Sequence, residues 1–198
     1  MVKQRRQRAR PPLPGLAEPR AVVRLQNMRR EVVAHLPIPT KDVEFLASYS
    51  SAGLCGLRFP RAGKPGRGAR TDGNIPAEIQ RWHGLVKQAL ASSLAGQAPR
   101  ELPPLDVSRG TKFQQLVWAQ LGRIGAGKTM SYKEVAQAIG RPGAVRAVGG
   151  ACGANPIPVL VPCHRVLAAN RKIGGFSGGL AWKRTLLGRE GAWEENRG

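Results

Sequence analysis

The stretch from residue 155 to residue 166 constrains this chain more than any other, because three prolines interrupt an apolar run that ends in Cys163 and His164. The three are Pro156, Pro158 and Pro162. Proline lacks the backbone N–H and the φ freedom that a helix interior requires, so we predict an irregular loop leading into the cysteine. A thiol at the end of such a loop is either a small buried packing group or a nucleophile.

Size and charge narrow the class of protein. The 198 residues suit one or two small domains, and the net charge of +20 favours a polyanionic partner such as nucleic acid. Residues 1–30 carry nine Lys and Arg against one acidic residue, and residues 106–198 carry fourteen against five. No apolar run reaches membrane-spanning length, and the N-terminus lacks the apolar region of a secretory signal. The odd count of three cysteines indicates free thiols in a reducing compartment.

Composition divides the chain into four parts. Arginine and proline predominate at the start, which predicts a disordered arm that either contacts DNA or is an unselected tail. The second part mixes strand and helix patterns, and the third contains the cysteine loop. The predicted parts are a basic arm over 1–30, an N-terminal α/β domain over 31–105, a DNA-binding domain with the cysteine over 106–191 and a tail over 192–198.

Hydrophobic patterns predict the elements of the second part. Two strands are predicted over 43–49 and 53–59, around a Ser/Gly turn, and a Gly- and Arg-rich loop follows over 61–73. Apolar residues at helical spacing then predict a helix over 76–95. Cys55 lies in the second strand and is expected to belong to the core.

The third part is predicted to be mainly helical. One helix over 111–121 should bury an apolar face, and a last helix over 180–187 should be capped by Gly188. The residues of the first apolar face are Phe113, Leu116, Val117 and Leu121.

Between these two helices the sequence predicts a helix-turn-helix. Ser131 and Glu134 form a capping-box pattern that begins a helix running to residue 139. A Gly-containing turn separates it from a small-sided helix over 144–153, and such a second helix enters a DNA groove. Arg146 lies near its start. The tiny residues that would let its backbone approach DNA closely are Ala147, Gly149, Gly150 and Ala151.

The stretch over 122–129 matches the nucleotide-binding pattern G-x-x-x-x-G-K-[ST]. A predicted helix precedes it where that pattern requires a strand, and the Ser131 capping box starts the next helix too late. No aspartate follows Lys128 to hold magnesium. We therefore interpret the stretch as a glycine turn whose Lys128 contacts DNA phosphate.

Short blocks along the third part resemble the O6-alkylguanine-DNA alkyltransferases, which are direct-reversal DNA repair proteins. The blocks are Ser131-Tyr132, Arg146-Ala147-Val148-Gly149-Gly150, Asn155-Pro156, Pro162-Cys163-His164-Arg165, Ser177-Gly178-Gly179-Leu180 and Glu190-Gly191. The resemblance implies an α+β fold. It consists of a small N-terminal sheet-and-helix (RNase H-like) domain and a mainly helical, winged-helix-like C-terminal domain.

The resemblance implies that an alkyl group passes once, irreversibly, from O6-alkylguanine, and from O4-alkylthymine, to Cys163. His164 would be the base. Because adjacent side chains rarely point the same way, a bridging water is expected between it and the thiol. Glu190 would orient His164, as triads do. The remaining implied catalytic residues are Asn155, which braces the loop, Tyr132, which faces guanine N3, and Lys183, which polarises the leaving group.

The resemblance also implies the DNA contacts and the pocket. Arg146 would fill the stack vacated by a flipped nucleotide, although a phosphate clamp is the alternative. The other implied DNA-binding residues are Tyr132, Ala147, Gly149, Gly150, Ala151, Lys128 and Arg165. The implied pocket residues are Val166, Gly174, Gly175, Phe176 and Ser177, with a flexible connector as the alternative for this glycine-rich stretch. Cys152 is expected only to pack.

The implied partner is duplex DNA carrying O6-alkylguanine, acted on by a monomer without a cofactor. The expected location is the cytoplasm at the nucleoid, or the nucleus in a eukaryote. No metal is expected, because Cys55, His35 and His83 are too few and too widely spaced for a four-ligand site. Two alternatives remain: a non-catalytic protein that recognises alkylguanine, and a plain transcription factor.

Overall fold

A three-stranded antiparallel sheet opens the part of the chain that the computed structural model describes, residues 31–60 and 75–193. The predicted arm over 1–30, the loop over 61–73 and residues 194–198 of the tail lie outside the described residues. The strands are β1 (Val32–Pro39), β2 (Glu44–Ser50) and β3 (Gly53–Arg58), in the order β1-β2-β3. The two strands that the sequence predicts are thereby confirmed.

Strand β1 was not predicted from the sequence. It contains Pro37 and Pro39, which argue against a strand in the middle of a sheet. Its position at the sheet edge tolerates them, because one side of an edge strand needs no hydrogen-bond partner. Ala34, Leu36 and Ile38 alternate inward and join the core.

The predicted N-terminal helix is confirmed as α1 (Ala77–Leu94), which begins directly after Pro76. Helix α1 buries Ile79, Trp82 and Val86 together with Leu90. The chain then returns to the sheet, where Leu54 N donates to Pro104 O at 2.8 Å and Asp106 N donates to Leu54 O at 2.8 Å.

The helices of the C-terminal part follow the predicted order. They are α2 (Lys112–Leu121), α3 (Tyr132–Ala138), α4 (Val145–Gly153) and α5 (Leu180–Arg189). The Ser131–Glu134 capping box is confirmed, and a second box at Thr111 and Gln114 begins α2. Short parallel strands β4 (Met130–Ser131) and β5 (Val166–Leu167) lie beside them.

Two details of these helices were predicted wrongly. Leu116 is 45% exposed, because the buried face of α2 runs through Val117, Trp118 and Leu121. Gly188 lies within α5. The helix ends at Arg189 with Glu190 as its C-cap residue, and Gly191 adopts the positive φ of 63° that favours glycine after a helix.

One continuous core joins the two predicted domains. Phe45 of the sheet stacks edge-on against Trp182 of α5 with ring centroids 6.0 Å apart. Leu57 N donates to Pro156 O at 2.8 Å, so the sheet also holds the cysteine loop. The division at residue 105 stays a prediction. None of the described helices has the length and apolar content needed to cross a membrane.

Candidate active site

The loop before Cys163 is irregular, as its prolines predict, and a single side chain braces it. Asn155 Nδ2 donates to Val161 O at 2.7 Å, and Asn155 Oδ1 accepts from Ile157 N at 3.0 Å. Val159 has a φ of 75°, in the left-handed region that a β-branched residue rarely adopts. The loop ends in one turn of 3-10 helix over Cys163–Arg165.

The Cys163 thiol is buried, with 3% of the residue exposed, and it has a hydrogen-bond donor. Asn155 Nδ2, besides bracing the loop, lies 3.1 Å from Cys163 Sγ. Burial raises the pKa of the Cys163 thiol, while the Asn155 hydrogen bond and the nearby Lys183 charge lower it. The Asn155 hydrogen bond therefore stabilises the thiolate form of Cys163, which burial alone would disfavour.

His164 and Glu190 are 26 residues apart in the sequence, and the fold brings them together. His164 Nε2 donates to Glu190 Oε1 at 2.9 Å, and both side chains are 1% exposed. Burial lowers the pKa of His164 and Glu190 opposes that effect, which leaves a neutral ring with its proton on Nε2. Nδ1 is buried without a hydrogen-bond partner in the described residues and is free to accept a proton.

The Arg165 side chain is turned into the protein, so its assignment as a side-chain DNA contact is corrected. The residue is only 7% exposed. Its Nε and Nη2 donate to Glu190 at 2.9 to 3.2 Å, and Nη1 donates to Ile124 O. Burial alone would raise the pKa of Glu190, but the hydrogen bonds from His164 and Arg165 bring it below its usual value.

The stretch over 122–129 connects α2 to strand β4, so it lacks the strand-to-helix geometry of a nucleotide-binding loop. One of its glycines contacts Glu190 instead. Gly127 has a φ of 74°, and its N–H donates to Glu190 Oε2 at 3.4 Å. Lys128, the next residue, is exposed.

A cavity of about 260 Å³ opens over the thiol. Its lining residues are Tyr132, Gly149, Cys152, Gly153, Cys163, Gly175, Phe176 and Ser177. Gly175, Phe176 and Ser177 were predicted in this role. Val166 and Gly174 were also predicted but do not line the cavity. Val166 is fully buried, and Gly174 packs against the Tyr132 hydroxyl.

Cys152 and Gly153 line the pocket although the sequence did not predict them there. Both lie on α4 three and four positions after Gly149, which also lines the cavity. Helical neighbours at that spacing share a face. The signal was present in the sequence, but only the orientation of α4 turns this face toward the thiol.

Lys183 connects the two sides of the site. Its Nζ is buried and donates to Val166 O at 2.6 Å and Gly175 O at 3.1 Å. Burial lowers the pKa of Lys183 to about 8, and the neighbouring thiols oppose the shift. The side chain thus holds the pocket loop against β5 and supplies a positive charge beside Cys163.

Aromatic rings fasten the pocket wall to the sheet. Phe176 contacts Phe59 at 5.7 Å between centroids, and Phe59 contacts Trp182 at 5.2 Å. A Cβ at Gly178 would lie 2.6 Å from the Phe59 ring and 2.8 Å from the Phe176 ring. The glycine is required by close packing here, which argues against a flexible connector.

Helix α4 presents only part of its small-residue face to solvent. Arg146, Ala147 and Gly150 are exposed. Ala151, predicted as a DNA contact, is 2% exposed, and its carbonyl accepts a hydrogen bond from Trp118 Nε1 at 2.8 Å. Its side chain points into the core, so that assignment is corrected.

Two histidines of the N-terminal region are paired with hydroxyl groups of the same region. His35 Nδ1 lies 2.8 Å from Ser48 Oγ, and His83 Nδ1 lies 3.0 Å from the Tyr49 hydroxyl. Across residues 31–60 and 75–193, no three His, Cys, Asp or Glu side chains are grouped as metal ligands.

The candidate site thus combines a buried cysteine that accepts a hydrogen bond with the neighbouring helix pair α3 and α4. The model of the 6-O-methylguanine DNA methyltransferase DNA-binding domain matches residues 112–192. A Mycobacterium tuberculosis methylated-DNA–protein-cysteine methyltransferase is 54% identical over 106 residues, which cover 54% of this chain and 63% of that protein. The Escherichia coli bifunctional transcriptional activator/DNA repair enzyme Ada is 43% identical over 122 residues, 62% of this chain and 34% of Ada.

A solved structure matches a larger share of the chain. Mycobacterium tuberculosis OGT in complex with DNA has a TM-score of 0.65 and 38% sequence identity, covering 79% of this chain and 92% of that one. The chain therefore belongs to the O6-methylguanine-DNA methyltransferase family. The matched stretch spans about a third of Ada and just under two-thirds of the mycobacterial methyltransferase.

Proposed function

We propose that this chain repairs DNA by transferring the alkyl group of O6-alkylguanine to Cys163, acting once as a methylated-DNA–protein-cysteine methyltransferase. The observation that carries the proposal is the position of Cys163, which lines a cavity and whose Sγ accepts a hydrogen bond from Asn155. A donor aimed at a buried sulfur stabilises the charge of a thiolate. A thiol that only packs needs no such donor.

The proposed proton path runs from the thiol through a water to His164 Nδ1. The support is that Nδ1 is buried and has no hydrogen-bond partner among the residues that the structure describes, while Nε2 is bonded to Glu190. As Nδ1 accepts the proton, the ionised Glu190 stabilises the resulting imidazolium. Arg165 and Gly127 hold the two carboxylate oxygens of Glu190.

In the proposed transfer, the Cys163 sulfur attacks the alkyl carbon. The sulfur–carbon bond forms, the bond between that carbon and O6 breaks, and its electron pair stays on O6. Lys183 stabilises that charge through its nearby cation, and Ser177, at the cavity wall, is placed to offer its amide. The guanine then takes up a proton and is restored. The thioether has no cleavage route among these groups, so each molecule reacts once.

The target base must leave the duplex to meet a buried thiol. The exposed side of α4 supports this step, because Ala147 and Gly150 leave room for close approach to DNA and Arg146 can enter the vacated stack. Tyr132 lines the cavity edge, and exposed Lys128 can meet a phosphate. O4-alkylthymine would enter by the same route.

We extend the proposal to the finer fold, the oligomeric state and the location. The sheet with α1 would be an RNase H-like domain, and the helices with β4 and β5 a winged-helix-like one. A monomer would act on duplex DNA at the nucleoid in the cytoplasm, or in the nucleus of a eukaryote. The non-catalytic alternative is not favoured, because it gives no reason for the donor on Cys163 Sγ.

The test is the intact-protein mass after mixing with a duplex that contains O6-methylguanine. We expect a gain of one methyl group, mapped by peptide analysis to Cys163. Cys152→Ala is the matched control, since it removes another thiol from the same cavity and should still gain the methyl group. Binding of the duplex without any gain in mass would identify a non-catalytic recognition protein instead.

A further inference from the structure

Arg189, in the last turn of α5 and directly before Glu190, is bound by residues of the N-terminal region. Arg189 Nη1 and Nη2 donate to the two carboxylate oxygens of Asp42 at 2.8 and 2.9 Å. Arg189 Nη1 also donates to Leu94 O, at the end of α1, at 2.9 Å. One guanidinium therefore connects the turn between β1 and β2, the end of α1 and the end of α5. We name these contacts the Asp42–Arg189 clamp.

The backbone makes a second contact at the same place. Gly96 has a φ of 80°, and a Cβ there would lie 2.0 Å from Arg189 O. The chain after α1 thus lies directly against the carbonyl that precedes Glu190. The clamp and this contact fix residue 189 from two sides.

Glu190 depends on this fixed position. It is the C-cap residue of α5, with its N–H donating to Leu186 O at 3.1 Å, and its carboxylate accepts hydrogen bonds from His164, Arg165 and Gly127. Consecutive Cα atoms are about 3.8 Å apart. A movement of residue 189 therefore also displaces the backbone from which the Glu190 side chain extends to His164.

We propose that Asp42 and Arg189 are positioning residues, through which the N-terminal region keeps Glu190 in hydrogen-bond register with His164 and so supports activation of Cys163. This inference rests on the proposed function for the relay from Glu190 to the thiol. It gives the N-terminal sheet a part in the chemistry, although none of its residues lines the cavity over Cys163.

The clamp can be weakened without dismantling the core. The side chains of Arg189 and Asp42 are 27% and 22% exposed, and partly exposed ion pairs contribute little to folding. The apolar contacts between sheet and helices, such as Phe45 with Trp182, do not involve either residue. A change in thiol reactivity is therefore separable from a loss of the fold.

The direction of the pH effect follows from the groups around His164. Burial, together with the charges of Arg165 and Lys183, lowers the pKa of His164, and Glu190 opposes that shift. If Glu190 shifts, the imidazole becomes a weaker base, and Cys163 ionises only at higher pH. The other groups that face Cys163 are Lys183, Cys152, Tyr132 and Asn155, and all of them lie apart from the clamp.

The experiment measures the rate at which iodoacetamide alkylates Cys163 as a function of pH, with the modified peptide quantified by mass. Asp42→Asn should lower the rate at neutral pH about tenfold, because small misplacements at a reacting site have large effects. The midpoint of the pH profile should move to higher pH. The matched control is Glu44→Gln, which likewise replaces a carboxylate by its amide, at an exposed residue two positions further on in β2, and should leave both values unaltered.

Arg189→Lys provides a second variant, which keeps the charge but not the two-pronged hydrogen bond. It should lower the rate less than Asp42→Asn and move the midpoint in the same direction. A rate and midpoint like those of Glu44→Gln in either folded variant, even with a lower melting temperature, would overturn the proposal. Iodoacetamide requires no DNA, so a wild-type protein that failed to take methyl groups from DNA would refute the proposed function alone.

Discussion

Two thiols line one cavity, and their surroundings differ. Cys152 lies on the regular helix α4, and burial raises the pKa of its thiol to about 12. Burial also raises the pKa of Cys163, at the end of the proline loop, but there Asn155 donates a hydrogen bond to the sulfur, whereas the Lys183 charge lowers the pKa of both thiols. Burial alone makes a cysteine inert. The difference between these two regions teaches that an irregular loop can bring a donor to a sulfur where a helix cannot.

Replacing each thiol gives the largest expected contrast. Cys163→Ser should bind alkylated duplex and transfer nothing measurable, because a hydroxyl is a far weaker nucleophile than a thiolate at neutral pH. The measurement is intact-protein mass after a single turnover, beside a binding titration. Transfer at the wild-type rate would remove Cys163 from the reaction.

The variant Asn155→Asp tests the hydrogen bond that Asn155 donates to the Cys163 sulfur. The carboxylate can still accept from Ile157 N, but it cannot donate to Cys163 and it adds a negative charge beside the sulfur. The thiol pKa should rise, so we expect transfer at neutral pH to slow about a hundredfold and to recover as pH increases. Asn170→Asp makes the same change at an exposed position and should have no effect. An unaltered pH profile in Asn155→Asp would show that the hydrogen bond serves only the loop.

Helix α4 differs between its exposed and its cavity-lining faces. Arg146→Ala should slow transfer from duplex DNA about tenfold or more, yet leave the reaction with a free O6-alkylguanine base unchanged, since only the duplex requires unstacking. Arg141→Ala, in the preceding turn, is the charge-matched control and should slow the duplex reaction less. Equal effects of the two variants on the duplex would favour a phosphate clamp over insertion into the stack.

The smallest expected effect belongs to Cys152→Ala. The thiol should act only as a packing group, so the transfer rate should stay within about twofold and the stability should fall by about 1 kcal/mol. Single-turnover kinetics and thermal unfolding measure the two quantities. A large loss of transfer in this variant would mean that the cavity uses both thiols.

The features that the sequence could predict are those set by local chemistry. The three prolines determined the loop before Cys163, and the Ser131–Glu134 pair determined the start of α3. Strand β1 could not be predicted, because Pro37 and Pro39 are acceptable only at a sheet edge. That position is a property of the assembled sheet.

In the candidate site, too, the sequence could not predict features that depend on distant parts of the chain. The Pro-Cys-His-Arg block identifies Arg165 but not the direction of its guanidinium, which turns inward because Glu190 comes back to meet it from the end of α5. Ala151 differs from Ala147 and Gly150 in facing the core, where Trp118 donates a hydrogen bond to its carbonyl. Directions set by distant partners have no local signal, and for that reason both residues were assigned wrongly.

The ring cluster behind the pocket has an optical consequence. Trp182 lies against Phe59, and Phe59 lies against Phe176 in the cavity wall. An indole's emission depends on its immediate packing, so a base that presses on Phe176 should change the fluorescence of Trp182 before any bond is made. The protein thus contains its own reporter for separating arrival of the base from transfer of the alkyl group in time.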